Sequence, residues 1–225
     1  MDKLVSIDTS LLQKPQSARE TKRAIVCAAL EEFAERFVEG ARTREIARKA
    51  KVNHAAINYH FGGKWEMYTK VMELVIESLS EKYKAIYDEI GAYLKSPGAT
   101  KEGARELIKK FLIFHHHLYT NPDFANFFRI IQREESTPTR AFETVYEKGY
   151  KPMFSSFKKL VKFALKEKLS ERRLDTLIFS LIVLNSALCS CRATYLRGVN
   201  KPKLDDGDVK IFGETVSLIL DKLFG

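Results

Sequence analysis

Residues 52–64 read VNHAAINYHFGGK. Ile57 and Phe61 stand four apart, which puts them on one face of a helix. Asn53 is a good N-cap residue, and Gly62-Gly63 are a helix stop. The spacing therefore predicts a short helix from His54 to Phe61. Its other face carries Ala55, Ala56, Asn58, Tyr59 and His60. A helix built only to fill a core does not need that mixture of small and hydrogen-bonding side chains.

Upstream, a second short helix is predicted from about Arg42 to Ala50, with Lys51-Val52-Asn53 as the turn between the two. Helix, three-residue turn, helix is the spacing of a helix-turn-helix. Such a unit lays its second helix in the major groove of DNA while flanking groups fix the phosphates. Ala55 and Ala56 suit contact with thymine methyls, and Tyr59 and His60 suit donation to phosphate. The turn Gly62-Gly63-Lys64 is expected to offer free amides and an ammonium to an anion. Charge agrees: Arg42, Arg44, Arg48, Lys49, Lys51 and Lys64 face one acid, Glu45, so these 23 residues hold +5 of the chain's net +9. A basic balance favours a polyanionic partner and says nothing of the fold.

Working outward, almost every segment from Ser17 onward has helical periodicity. Ser17 and Glu20 fit a capping box, followed by Ile25, Ala28, Ala29, Phe33 and Phe37 on one stripe and Gly40 at the end. A long helix from Lys64 to about Leu94 carries Met67, Tyr68, Val71, Leu74, Val75, Leu79 and Tyr83. Helices are then predicted at about 101–120, 122–134, 138–149, 152–168, 171–198 and 206–224. The fold class is all-α: a flexible arm over 1–16, a three-helix helix-turn-helix domain over 17–63, and a helical ligand-binding and dimerisation domain over 64–225. The composition, 45% hydrophobic and 30% charged, is that of a globular chain. Three cysteines, Cys27, Cys189 and Cys191, give no disulfide framework. The N-terminus has no apolar core of the signal-peptide kind, and the most apolar run, 177–191, falls short of the roughly 20 residues that span a bilayer. A cytoplasmic protein is expected.

The residues Thr43-Arg-Glu-Ile-Ala47, Ala50, Val52-Asn53, Ala56-Ile57, Tyr59-His60-Phe61, Lys64 and Tyr68 resemble the DNA-binding domain of TetR-type bacterial regulators over roughly residues 20–70. The resemblance implies phosphate and base contacts from Arg42, Thr43 and Arg44. It implies a recognition helix opening on Asn53, His54, Ala55 and Ala56, with Asn58, Tyr59, His60 and Lys64 toward the DNA backbone. Four positions depart from the family pattern. Phe37 and Lys51 stand where glycine is usual, Asn58 where tyrosine is frequent, and Trp65 where glutamate is common. Arg129-Ile-Ile-Gln-Arg-Glu134, Pro138 and Tyr150-Lys-Pro152 are similar to the CecR-like branch, which implies an effector-responsive repressor.

The partners expected are double-stranded operator DNA, a small-molecule effector and a second copy of the chain, with no membrane. Phe128, Arg129, Gln132, Arg133, Asn185 and Ser186 are the candidate effector residues, since polar groups on apolar helices line pockets in helical proteins. Leu177, Leu181, Leu184 and Leu188 with Phe212, Val216, Ile219, Leu220 and Leu223 are the candidate dimer surface. His115-His116-His117 point about 100° apart on a helix and cannot converge on one ion, so no metal is expected. No cofactor is expected either: the sequence has no phosphate loop, no acid–base pair and no nucleophile motif. The alternatives are an all-helical enzyme of unrecognised chemistry, or a peripheral membrane protein acting through Lys158, Lys159, Lys162 and Lys166 opposite the stripe Phe157, Leu160, Val161, Ala164 and Leu165.

Overall fold

The structure is a computed structural model that describes residues 17–224, apart from the side chains of Asn185, Leu188 and Cys189. The expected arm at 1–16 lies outside the described residues. Among the described residues the regular elements are helical. In chain order they are α1 (Ala18–Gly40), α2 (Thr43–Lys49), α3 (His54–Phe61), α4 (Lys64–Lys95), α5 (Lys101–Thr120), α6 (Ala125–Ser136), α7 (Arg140–Val145), α8 (Lys151–Ala164), α9 (Glu171–Ser190), α10 (Arg192–Gly198) and α11 (Asp206–Phe224).

Local chemistry sets many of the boundaries. Ser17 and Glu20 form the reciprocal capping box of α1. Asn53 caps α3 by accepting from the Ala55 amide, and Gly62, at φ 83°, closes it in the left-handed conformation. Thr100, Thr139 and Ser170 cap α5, α7 and α9 in the same way.

Several predicted helices differ in extent. The segment from Pro122 begins as a 3-10 turn, Pro122–Phe124, before α6. The segment 138–149 is α-helical only over α7 and continues as a π turn, Tyr146–Tyr150, into α8. That turn sets Gly149 against Ile76, where an added Cβ would come within 3.0 Å of the Ile76 methyl. Helix α8 stops at Ala164, and the Leu165 carbonyl beyond it accepts from Lys101 Nζ at 2.8 Å. The predicted helix 171–198 is broken at Cys191, with φ −109° and ψ 25°.

The chain packs as two compact units. One holds the described residues up to Leu79 together with Pro122–Gly149; the other holds Ser80–Asn121 and Tyr150 onward. The division thus falls inside α4, and α6 and α7 belong with the N-terminal helices. In the first unit Phe33, Met67, Tyr68, Val71 and Met72 are fully buried. Tyr68 presents its edge to Phe33 at 4.9 Å and donates to Glu134 at 2.5 Å. Glu134 is itself buried and also accepts from the Thr139 amide at 2.9 Å and hydroxyl at 2.8 Å. It therefore ties α6 both to α4 and to the cap of α7.

In the second unit α5 packs on α8, α9 and α11. Phe111 stacks on Phe157 at 4.5 Å, and His116 on Phe212 at 4.0 Å. The three histidines diverge as helix geometry requires: His115 and His116 are buried and His117 is exposed. The α8 stripe Phe157, Leu160, Val161 and Ala164 is core, and two of its lysines are neutralised from α9. Lys158 pairs with Glu171 at 2.9 Å and with Asp175, and Lys162 pairs with Glu171 at 2.8 Å. That pairing offsets two of the four lysines; Lys159 and Lys166 stay exposed. Among the described residues no helix is long and apolar enough to cross a membrane.

His115 gives the fold a pH limit. Its Nδ1 bonds the Tyr83 hydroxyl, its Nε2 has no partner, and burial pushes its pKa down to about 3. The unfolded imidazole titrates near 6.5, so between the two values the unfolded state binds the extra proton. Stability is therefore complete above about pH 6.5 and falls as pH drops, by up to ~1.4 kcal/mol per pH unit from this group. Urea unfolding followed from pH 7.5 to 4.5 is expected to show this slope, and His115→Phe to remove it.

Candidate nucleic-acid interface

The motif helices are held in place by a buried carboxylate. Glu32, on α1, is 2% exposed. It accepts from the Arg42 amide at the start of α2 at 3.3 Å and pairs with Lys49 at the end of α2, also at 3.3 Å. Arg36 joins it at 3.3 Å, while Glu31 and Glu35 approach Lys49 at 3.9 and 3.7 Å. One side chain thus fixes both ends of α2 against α1. Apolar contact does the rest, through Ile25, Ala29, Phe33, Ile46, Ala47 and Ile57, all buried. Ile57 and Phe61 face inward as the sequence predicts.

This packing leaves the opposite face of the pair to solvent. Arg42, Arg44, Asn53, His54, Ala55, Asn58 and Tyr59 are exposed, and Thr43, Ala56, His60 and Lys64 are half-buried. Tyr59 is 85% exposed, its ring edge-on to His60 at 5.0 Å. Thr43 Oγ1 and His54 Nε2 lie 2.9 Å apart, so the first residues of α2 and α3 are tied together on this face. The six bases of the motif are unequal, however. Lys49 is spent on the α1 carboxylates, and Arg48 pairs with Glu45 at 2.9 Å. Arg42, Arg44 and Lys51 are the other exposed bases of the motif.

At Gly62-Gly63-Lys64 several of the groups expected to meet an anion have internal partners. The Gly62 amide goes to the Asn58 carbonyl at 2.9 Å. Glu66 turns its carboxylate back on its own amide and takes Arg140 at 3.0 Å; these two contacts, in that order, hold its pKa below the usual range. An internal acid therefore fills the start of α4. Lys64 Nζ donates to the Glu39 carbonyl at 2.9 Å and the Ala41 carbonyl at 3.4 Å, closing the C-terminus of α1. An ammonium has three donors, so one remains for a phosphate.

The two glycine departures keep a glycine's backbone. Lys51 has φ 55°, and Phe37 has φ 58° with ψ 177° inside α1. Side chains rarely adopt this region, at a cost of order 1–3 kcal/mol. Phe37 is held there by its ring, edge-on to Tyr68 at 5.9 Å with the Arg133 guanidinium 5.8 Å from its centroid. Trp65, the fourth departure, receives Arg140 over its ring at 5.5 Å.

The candidate effector residues separate. Arg129, Gln132 and Arg133 line one open groove of about 450 Å³ between α6 and the end of α1, with Phe37, Glu39 and Ser136. Phe128 is buried in the core behind it. Ser186 is half-buried in the other unit, and the Asn185 side chain lies outside the described residues. The candidate dimer residues separate too. Leu181, Phe212, Val216 and Leu220 are buried within the protomer, Leu177 and Ile219 are half-buried, and Leu184 and Leu223 are exposed. The Leu188 side chain lies outside the described residues. The exposed apolar positions also include Phe179 and Val183 on α9 and Ile211 and Leu218 on α11, which the leucine spacing alone did not single out.

Comparison with known proteins agrees with this geometry. Residues 25–71 match the family described as bacterial regulatory proteins, tetR family. Residues 101–219 match the C-terminal domain of the HTH-type transcriptional dual regulator CecR. CecR of Shigella flexneri is 31% identical over 142 residues, 63% of each chain. AcrR of Shigella flexneri is 30% identical over 111 residues, 44% of this chain and 51% of its own. The chain thus spans less than two thirds of the length of these curated relatives. FadR of Bacillus subtilis, solved in complex with stearoyl-CoA, shares the fold with a TM-score of 0.60 at 18% identity, covering 90% of this chain and 97% of that one. The chain belongs to the TetR family of transcriptional regulators, in the branch with a CecR-type C-terminal domain. It is a regulator family, not one of enzymes.

The backbone at position 37 sets an order of stabilities. Alanine there loses the ring contacts and keeps the strain; glycine loses the contacts and relieves it. Urea denaturation is expected to find Phe37→Gly more stable than Phe37→Ala by ~1 kcal/mol, against the ordinary order inside a helix.

Proposed function

We propose that the chain is a homodimeric repressor that binds a near-palindromic operator and is released from it by a small-molecule effector. What carries the reading is the anchored helix pair whose outward face is Arg42, Thr43, Arg44 and residues 53–60. Arg44 and residues 53–56 read base edges; Arg42, Thr43, Tyr59, His60 and the remaining donor of Lys64 hold phosphates. In the dimer two recognition helices enter successive major grooves about 34–36 Å apart. The dimer forms through the exposed apolar positions of α9 and α11, Phe179, Val183, Leu184, Ile211, Leu218 and Leu223. An effector that prefers a dimer with misplaced reading heads releases the operator by population shift, for which a few kcal/mol of differential affinity suffice.

Selection from random double-stranded DNA is expected to enrich an inverted repeat with half-sites centred about 10 base pairs apart. Enrichment of no sequence, or of a single unrepeated half-site, would count against the reading. Sedimentation at micromolar concentration is expected to show a dimer, with Phe179→Asp and Leu218→Asp shifting it toward monomer; a monomeric wild type would remove the dimer.

A further inference from the structure

We infer that the groove between α6 and the end of α1 binds an aromatic monocarboxylate, and that this site is wired to the reading head through Phe37. The inference rests on the effector-released reading proposed for the chain and gives it a place and a ligand class.

Arg129 and Arg133 lie four apart on α6, so both guanidinium groups share one face, and neither has a carboxylate partner among the described residues. Gln132 and Ser136 stand beside them on the same wall. Two like charges on one wall repel each other, and an anion between them relieves that. Glu39, on the opposite wall, is the carboxylate in the lining, so the groove balances one negative charge of a ligand rather than two. The apolar part of the wall is the Phe37 ring, already covered by a planar cation at 5.8 Å. A flat ring fits that place, and a carboxylate fits the guanidinium forks. The volume, about 450 Å³, is that of small-molecule sites.

The wiring is short. Arg133 rests on Phe37 and donates to the Glu35 carbonyl at a long 3.4 Å, a weak hold that a carboxylate outcompetes. Phe37 is then left in a strained conformation without the contact that covers its ring. Its carbonyl accepts from Ala41, the next carbonyl along that touches a side chain is the Lys64 partner Glu39, and Arg42 lies directly beyond Ala41. Relaxation at position 37 therefore changes the backbone that positions Arg42, Thr43 and Lys64.

The test is isothermal titration of DNA-free protein with sodium 2-naphthoate and with its neutral isostere 2-naphthamide. Expected is saturable one-site binding of naphthoate, at least about tenfold weaker for the amide, and about tenfold weaker again for naphthoate on Arg129→Gln or Arg133→Gln. Arg172→Gln, on α9 and outside the groove lining, should bind as wild type. Arg129 is exposed and its loss leaves the fold intact, which thermal melting verifies. No binding at millimolar naphthoate, equal binding of the amide, or wild-type binding by Arg129→Gln would overturn the inference. Operator affinity of ligand-free protein is measured separately. If it is absent while naphthoate still binds, the operator reading fails and the site stands; if operator binding is intact and naphthoate does not bind, the reverse holds.

Discussion

The reading head depends on Glu32. A carboxylate almost wholly removed from water is tolerated only when its charge and its lone pairs are met, and here the Arg42 amide, Lys49 and Arg36 meet them. Leaving such a charge unpaired costs on the order of 3–5 kcal/mol. The first two of these contacts fix α2 at both ends, and α2 in turn carries α3 through Ile46 and Ile57. Apolar packing alone tolerates slippage of a seven-residue helix; one buried charge met from both of its ends does not. The placement of Arg44 and His54 on one face therefore comes from a residue buried beneath it.

Much of this was legible in the sequence, for local reasons. The capping box at Ser17, the Asn53 cap, the glycine stop at Gly62 and the inward pair Ile57 and Phe61 are decided within a few residues, and they stand in the structure as the spacing implies. The divergence of the three histidines is a matter of helix geometry alone. What spacing does not reveal is where long-range partners go. Glu32 looks like any surface acid of α1, and only the arrival of Lys49 and Arg42 makes it central. Lys64 reads as a phosphate ligand alone, yet two of its donors also close the end of α1, which spacing does not show. The leucine stripe of α9 and α11 divides because two faces compete for it: α5 takes the Phe212, Val216 and Leu220 side, and Ile211 and Leu218 are left outward. The break at Cys191 has no local signal, and nothing in the structure explains it.

The departures from the family pattern carry information of a different kind. Phe37 and Lys51 stand where the family pattern has glycine and take the positive φ that glycine accommodates, so the fold demands the conformation more strongly than the side chains resist it. At Phe37 the strain is offset by Tyr68 and Arg133, which belong to α4 and α6. A polar groove, a strained residue and the reading head are thereby joined in one compact unit, with Glu134 holding α6 to Tyr68 beneath them.

The central claim is that the exposed face of α2 and α3 is an electrostatic and base-reading surface for DNA. The most direct test is a salt titration of binding to the protein's own upstream DNA, comparing wild type with Arg42→Ala and Arg44→Ala. Each phosphate neutralised contributes about −0.9 to the slope of log affinity against log salt. Expected is steep, site-selective binding, a slope shallower by roughly one per reading head in Arg42→Ala, and relaxed sequence preference in Arg44→Ala. Binding that is indifferent to salt, or slopes and preferences unchanged in both variants, would contradict it.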